Sequence, residues 1–174
     1  MNEINKTQPR DFVLVGAVSC GKTALMRALL EIDDDVLKTQ APVFHGNNVI
    51  DTPGEFTARP NYYGALLCTV SEVATIVYLQ PANSAVFSLP PGLLHVYPDK
   101  NIVGVISKID LPDADTNTAS QVLKSHGIEE PYFLTSAETG AGVSELRHYL
   151  YSLCANAMLA KTSTKAYQHR EHFA

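Results

Sequence analysis

Gly16-Ala17-Val18-Ser19-Cys20-Gly21-Lys22-Thr23 has the spacing G-x-x-x-x-G-K-[ST], the phosphate-binding loop of nucleotide-hydrolysing proteins. The residue types follow from the chemistry. Gly16 and Gly21 let the backbone curl so that successive N–H groups point inward at phosphate oxygens. Ala24 opens the helix that follows, whose first turn adds unpaired N–H groups and the positive end of its dipole. Lys22 is placed to reach the β- and γ-phosphates, and the Thr23 hydroxyl to bind Mg²⁺. The plain alternative is a glycine-containing strand–helix turn with a surface lysine.

Three further short motifs follow in order. Asp51-Thr52-Pro53-Gly54 is D-x-x-G, in which Asp51 can hold Mg²⁺ through water and the Gly54 N–H can meet a γ-phosphate. In Ser107-Lys108-Ile109-Asp110, the Asp110 carboxylate can accept both N–H donors on the guanine edge, a pair that adenine lacks. Thr135-Ser136-Ala137 offers the Ala137 N–H to the guanine oxygen. Each motif alone recurs by chance. Each ends its own apolar strand, and their order is what carries weight.

The elements that must position these groups are legible. Phe12–Val15 reads as a buried parallel strand before the loop, and Ala24–Leu30 as the helix after it. Further strands are expected at 48–51, 74–80, 101–107 and 131–135, and helices at 61–70, 116–125 and 143–158. Val143, Leu146, Leu150 and Leu153 form one apolar stripe on the last helix, read as core. The alternation predicts a three-layer α/β fold with a mostly parallel sheet, and ligands at the carboxyl ends of its strands. Residues 1–10 read as a polar segment, 11–158 as one domain and 159–174 as a polar, frayed tail. Ala82–Pro98, with Pro90-Pro91-Gly92, reads as an irregular connection.

Composition narrows the function classes. A net charge of −5 argues against nucleic acid as partner, and no apolar run approaches a membrane span. Three widely spaced cysteines suggest a reducing, cytoplasmic setting. Cys68 and Cys154 read as core fillers. Cys20, inside the loop, is either an inert small residue or a thiol whose pKa the surrounding N–H groups lower. The histidines at 45, 95, 126, 148, 169 and 172 are scattered and read as satisfied or exposed, not as metal ligands. Asp33-Asp34-Asp35 reads as a solvated loop.

The motif series resembles the Ras-like GTPases over about residues 11–155. The phosphate loop, Lys38-Thr39-Gln40-Ala41, Ile50-Asp51-Thr52-Pro53-Gly54-Glu55-Phe56, Tyr62-Tyr63-Gly64-Ala65-Leu66 and Pro90-Pro91-Gly92 resemble, more narrowly, the EutP/PduV family. That resemblance implies a G-protein-like fold, a guanine nucleotide with Mg²⁺, and a setting in ethanolamine or propanediol utilisation and bacterial microcompartments. Shell proteins or metabolic enzymes become conceivable partners. Some members are described as acetate kinases, which brings in ATP and phosphoryl transfer to acetate.

Against the Ras-like pattern, Thr39 falls at the first switch, where it would sense Mg²⁺ and the γ-phosphate; a loop threonine is the plainer reading. Glu55 stands where a water-orienting glutamine is frequent. It could act as a base, would repel the γ-phosphate, and could equally be a solvent-facing carboxylate. Val18 would crowd an arginine finger. Ser19 replaces the asparagine of potassium-activated GTPases. Ser107 replaces Asn or Thr before Lys108, which predicts a weaker loop brace. The short interval from Thr39 to Asp51 predicts a shortened or absent second strand. Lys22, Thr39 and Glu55 are thus the candidate catalytic residues, and Thr23, Thr39 and Asp51 the candidate metal ligands. Arg59 is the one candidate for holding a carboxylate acceptor. A slow GTPase or switch, a carboxylate kinase and a non-hydrolysing interaction protein are the three readings carried forward.

Overall fold

The computed structural model describes residues 8–32 and 41–168. Six strands form one sheet in the order β2-β3-β1-β4-β5-β6. They are β1 (Phe12–Gly16), β2 (Val43–His45), β3 (Val49–Asp51), β4 (Thr75–Pro81), β5 (Asn101–Ser107) and β6 (Phe133–Leu134). All neighbours pair in parallel except β2 with β3, which run antiparallel at one edge. The second strand is therefore present and only three residues long, the shortened form of the two outcomes expected.

Alternation along β1 explains the layering. Val13 and Val15 face one side, with Ile50, Ile76, Tyr78 and Ile106; there they meet Phe56 of α2 (Glu55–Ala58), Leu66 and Val70 of α3 (Tyr63–Ser71), and Leu123 of α4 (Thr116–Ser125). Phe12 and Leu14 face the other side, with Val77, Leu79 and Val105; they meet Leu25, Met26 and Leu29 of α1 (Lys22–Leu30), and Leu146 and Leu150 of α5 (Val143–Gln168). β1 lies between β3 and β4 and is buried along its whole length, so the loop leaving it rises from the centre of the sheet. The fold is the expected three-layer α/β sandwich.

Several boundaries differ for physical reasons. α5 continues past Met158 to Gln168, because residues 156–168 contain no glycine or proline to stop a helix. Pro60 starts a 3-10 turn (Pro60–Tyr62) that delays α3 to Tyr63. α4 is capped by the Asp115 carboxylate, which accepts from the N–H groups of Asn117 and Thr118. The Thr118 hydroxyl and N–H hold the Asp115 carboxyl below its usual range. Ala82–Pro98 is irregular apart from a 3-10 turn at Leu93–Val96. Phe87 pins that segment by stacking between Tyr78 and His126.

One cysteine assignment is corrected. Cys68 is exposed, not core. Leu66, Thr69 and Val70 take the buried face of α3, and Cys68 falls between them on the outward side. Cys154 is half-buried, its thiol turned to the Arg10 carbonyl.

Candidate functional site

The phosphate loop is built from backbone constraint outward. At Gly16 a side chain would begin 2.6 Å from the Leu79 carbonyl oxygen of the neighbouring strand, so only glycine allows β1 and β4 to meet there. Gly21 takes the left-handed conformation that turns the chain into α1. Lys22 is only 6% exposed. Its ammonium donates to the carbonyls of Gly16 at 2.8 Å and Ala17 at 2.7 Å, and touches Cys20 Sγ at 3.7 Å. The Thr23 hydroxyl donates to Asp51 Oδ2 at 2.7 Å. Asp51, at the end of β3, is 1% exposed. Two motifs 28 residues apart in sequence thus place a hydroxyl and a buried carboxylate side by side. An all-oxygen pair of this kind is the donor chemistry that Mg²⁺ takes.

The D-x-x-G turn packs directly on the loop. A side chain at Gly54 would begin 2.6 Å from Val18 Cα and 2.9 Å from the Val18 nitrogen. Thr52 donates to the Leu14 carbonyl at 2.6 Å. Thr57 donates to the carbonyls of Gly54 at 2.9 Å and Gly16 at 3.2 Å. No sequence signal marks the bonds from Thr52 to Leu14 and from Thr57 to Gly16, since both reach backbone atoms distant in the chain. A cavity of about 200 Å³ opens here, lined by Val18, Ser19, Lys22, Thr23, Gly54 and Glu55 among others. Glu55 opens α2 and is exposed. Val18 stands half-exposed at the rim. Arg59 is exposed and lines neither this cavity nor the next.

A second cavity of about 380 Å³ lies beside it and shares Gly21 and Ala24 with the first. Its walls bring together Ser107, Lys108, Asp110, Thr135 and Ala137, with Leu25, Leu111 and Glu138, which the sequence did not single out for it. Ser107 donates to the Cys20 carbonyl at 2.8 Å, so a serine at this position still makes a brace to the loop. Ser136 is fully buried and does not line the cavity. Its N–H donates to the Ala141 carbonyl at 2.9 Å and its hydroxyl accepts from the Thr139 N–H at 3.1 Å. It braces the turn that presents Ala137.

Cys20 is 1% exposed and packs with Leu25 and Leu79. Burial pushes its thiol up, against the opposing pull of Lys22. The lowered-pKa reading of Cys20 is therefore wrong, because desolvation outweighs the neighbouring charge. His95, His126 and His148 each bond a backbone carbonyl. Among the described residues no three His, Cys, Asp or Glu side chains gather as a metal cluster, and no helix is long and apolar enough to cross a membrane. Lys38, Thr39, the Asp33-Asp34-Asp35 run, His169 and His172 lie outside the described residues.

A Salmonella typhimurium LT2 protein named "Probable acetate kinase EutP" is 42% identical over 139 residues, covering 80% of this chain and 87% of that protein. An Escherichia coli K12 protein of the same name is 40% identical over the same span. A Citrobacter freundii "Propanediol utilization protein PduV" is 28% identical over 138 residues, covering 79% of this chain and 91% of that protein. The family model described as "PduV-EutP: Ethanolamine utilisation - propanediol utilisation" matches residues 10–152. The chain belongs to the PduV-EutP family and is associated with ethanolamine and propanediol utilisation.

Proposed function

We propose that this chain is a Mg²⁺-dependent GTP-binding protein that hydrolyses GTP slowly and serves as a switch within that metabolic setting. The observation that carries the reading is the Thr23–Asp51 hydrogen bond at 2.7 Å, beneath a loop whose other side opens to the Asp110 cavity. Thr23 and Asp51 would hold Mg²⁺, which supplies positive charge against the phosphates when bound. Lys22 adds a fixed ammonium to the same charge, and the Gly54 N–H offers a donor at the D-x-x-G turn. Asp110 would accept the two guanine N–H donors, and Ala137 would donate to the guanine oxygen. Glu55 faces the phosphate cavity as an anion, so it opposes an approaching γ-phosphate while it can orient water. That conflict, and the absence of glutamine at this position, set the rate at or below roughly 10⁻⁴ s⁻¹, the order of an unassisted Ras-type site.

Phosphoryl transfer to acetate is the second reading. It is favoured by the name "Probable acetate kinase EutP" of the Salmonella and Escherichia relatives. Among the described residues Lys22 is the one cation lining the phosphate cavity, and Glu55 shares that wall. A carboxylate acceptor would meet a like charge there. A nucleotide-gated interaction protein without hydrolysis, docking on shell or metabolic proteins, is the third. Following γ-³²P from GTP and from ATP, with and without acetate, separates them. Label released slowly from GTP as inorganic phosphate is the expected result. Label in acetyl phosphate establishes the kinase, and label retained on nucleotide establishes the non-hydrolysing protein.

A further inference from the structure

We infer that Glu138 narrows the base cavity's preference for guanine over adenine by setting an acceptor beside the six-position of the base, an inference that rests on the nucleotide reading above. The turn that carries it is tightly closed. Ser136 N–H reaches the Ala141 carbonyl, Gly140 N–H reaches the Ser136 carbonyl, both at 2.9 Å, and Thr139 N–H reaches Ser136 Oγ at 3.1 Å. Ala137 and Glu138 are the two residues of that turn on the cavity wall. Glu138 is exposed, and among the described residues its carboxylate makes no hydrogen bond or ion pair. It is therefore free to address whatever Ala137 addresses.

The chemistry at that end of a purine is opposite for the two bases. Guanine presents two acceptors there, O6 and N7. Adenine presents the N6 amine, a donor, beside N7. An Ala137 N–H favours guanine. A carboxylate one residue further on repels the guanine acceptors and can accept from the adenine amine. The other charged groups on the wall are Lys108 and Asp110. Two carboxylates face one ammonium, so the cavity is not compensated for the extra anion. Asp110 keeps guanine ahead, and Glu138 reduces the margin.

The test is displacement of labelled GDP by GTP, ATP and inosine triphosphate, on the wild type, Glu138→Ala and Glu138→Gln. Removing the acceptor should tighten GTP and weaken ATP, widening their ratio about 3–10-fold, the range of one solvent-accessible hydrogen bond. The GTP-to-inosine ratio should stay constant, because both bases carry the same O6 and N7. Glu138→Gln gives guanine O6 a donor while keeping an acceptor, so it should tighten GTP and retain ATP. An unchanged GTP-to-ATP ratio in Glu138→Ala overturns the inference. So does an equal loss of all three nucleotides, which is the mark of a structural role. A wild type that binds no purine nucleotide overturns the nucleotide reading itself, and the same titration shows that before any variant is read.

Discussion

The phosphate-side and base-side cavities share Gly21 and Ala24, yet they are built in opposite ways. On the phosphate side Lys22, Thr52 and Thr57 are buried, Thr23 is half-buried, and all four are tied down, while Glu55 stays exposed. Lys22 is held by two carbonyls, Thr23 by Asp51, Thr52 by Leu14, and Thr57 by Gly16 and Gly54. On the base side the backbone is braced by Ser107 and Ser136. The charged side chains there, Lys108, Asp110 and Glu138, make no hydrogen bond or ion pair among the described residues. On the nucleotide reading, the preorganised end is the one that would meet the phosphates, which every nucleotide shares, and the end with free side chains is the one that would meet the base.

Lys22→Ala tests the fixed end most severely. Loss of a charge-assisted contact to phosphate costs on the order of 2–3 kcal/mol, so GTP affinity should fall roughly 30–150-fold while the circular dichroism spectrum is kept. Thr23→Ala should show its effect in Mg²⁺ dependence, read by titrating a fluorescent GTP analogue with and without the metal. Unaltered binding in both variants would dissolve the contrast between the two ends.

Gly54→Ala comes next. Its new Cβ would stand 2.6 Å from Val18 Cα, a backbone contact that no rotamer relieves. Forced crowding of this kind costs about 1–3 kcal/mol. Single-turnover hydrolysis should drop at least about tenfold, while the GTP-to-ATP ratio stays that of the wild type. A shifted ratio would mean that the two cavities are coupled.

Ser107→Ala removes the bond to the Cys20 carbonyl. That loss is about 1 kcal/mol, so thermal unfolding should shift down about 2–4 °C. Calorimetry checks it, and an unchanged midpoint removes Ser107 from the brace. The smallest effect is in thiol labelling. Cys68 is exposed, whereas Cys20 is buried with its thiol pushed up. Iodoacetamide at neutral pH should modify Cys68 first, with Cys20 reacting only as pH rises and thiolate forms. Prompt labelling of Cys20, mapped by mass spectrometry, would show that the loop opens.

Most of this architecture was legible in the sequence because its signals are local. The buried run at 12–15 gave the central strand, the stripe Val143, Leu146 and Leu150 gave the core face of α5, and Asn101–Ser107 and Thr116–Ser125 have the expected bounds. The motifs name Thr23 and Asp51, and the fold brings them together. What escaped was non-local. Thr52 and Thr57 each reach a carbonyl far away in the chain, and Glu138 lines the cavity only because a turn folds it there. Cys68 reads as core because Ala65, Leu66, Leu67 and Val70 flank it while a polar Thr69 shares the buried face, so hydropathy does not distinguish the faces of α3. The thiol of Cys20 was open to two readings because burial, which decides it, is a property of the fold.

The central claim is that a guanine nucleotide binds with its base against Asp110. Competition of GTP, ATP and xanthosine triphosphate, on the wild type and on Asp110→Asn, tests it most directly. Adenine would leave a carboxylate without its donors, at a cost of about 1–3 kcal/mol, so the wild type should favour GTP over ATP by at least about tenfold. Asp110→Asn turns one acceptor into a donor. It should weaken GTP and strengthen xanthosine triphosphate, whose added carbonyl accepts that donor. A wild type that binds ATP as well as GTP, with a variant that alters neither, would contradict the claim and bring the kinase reading to the front.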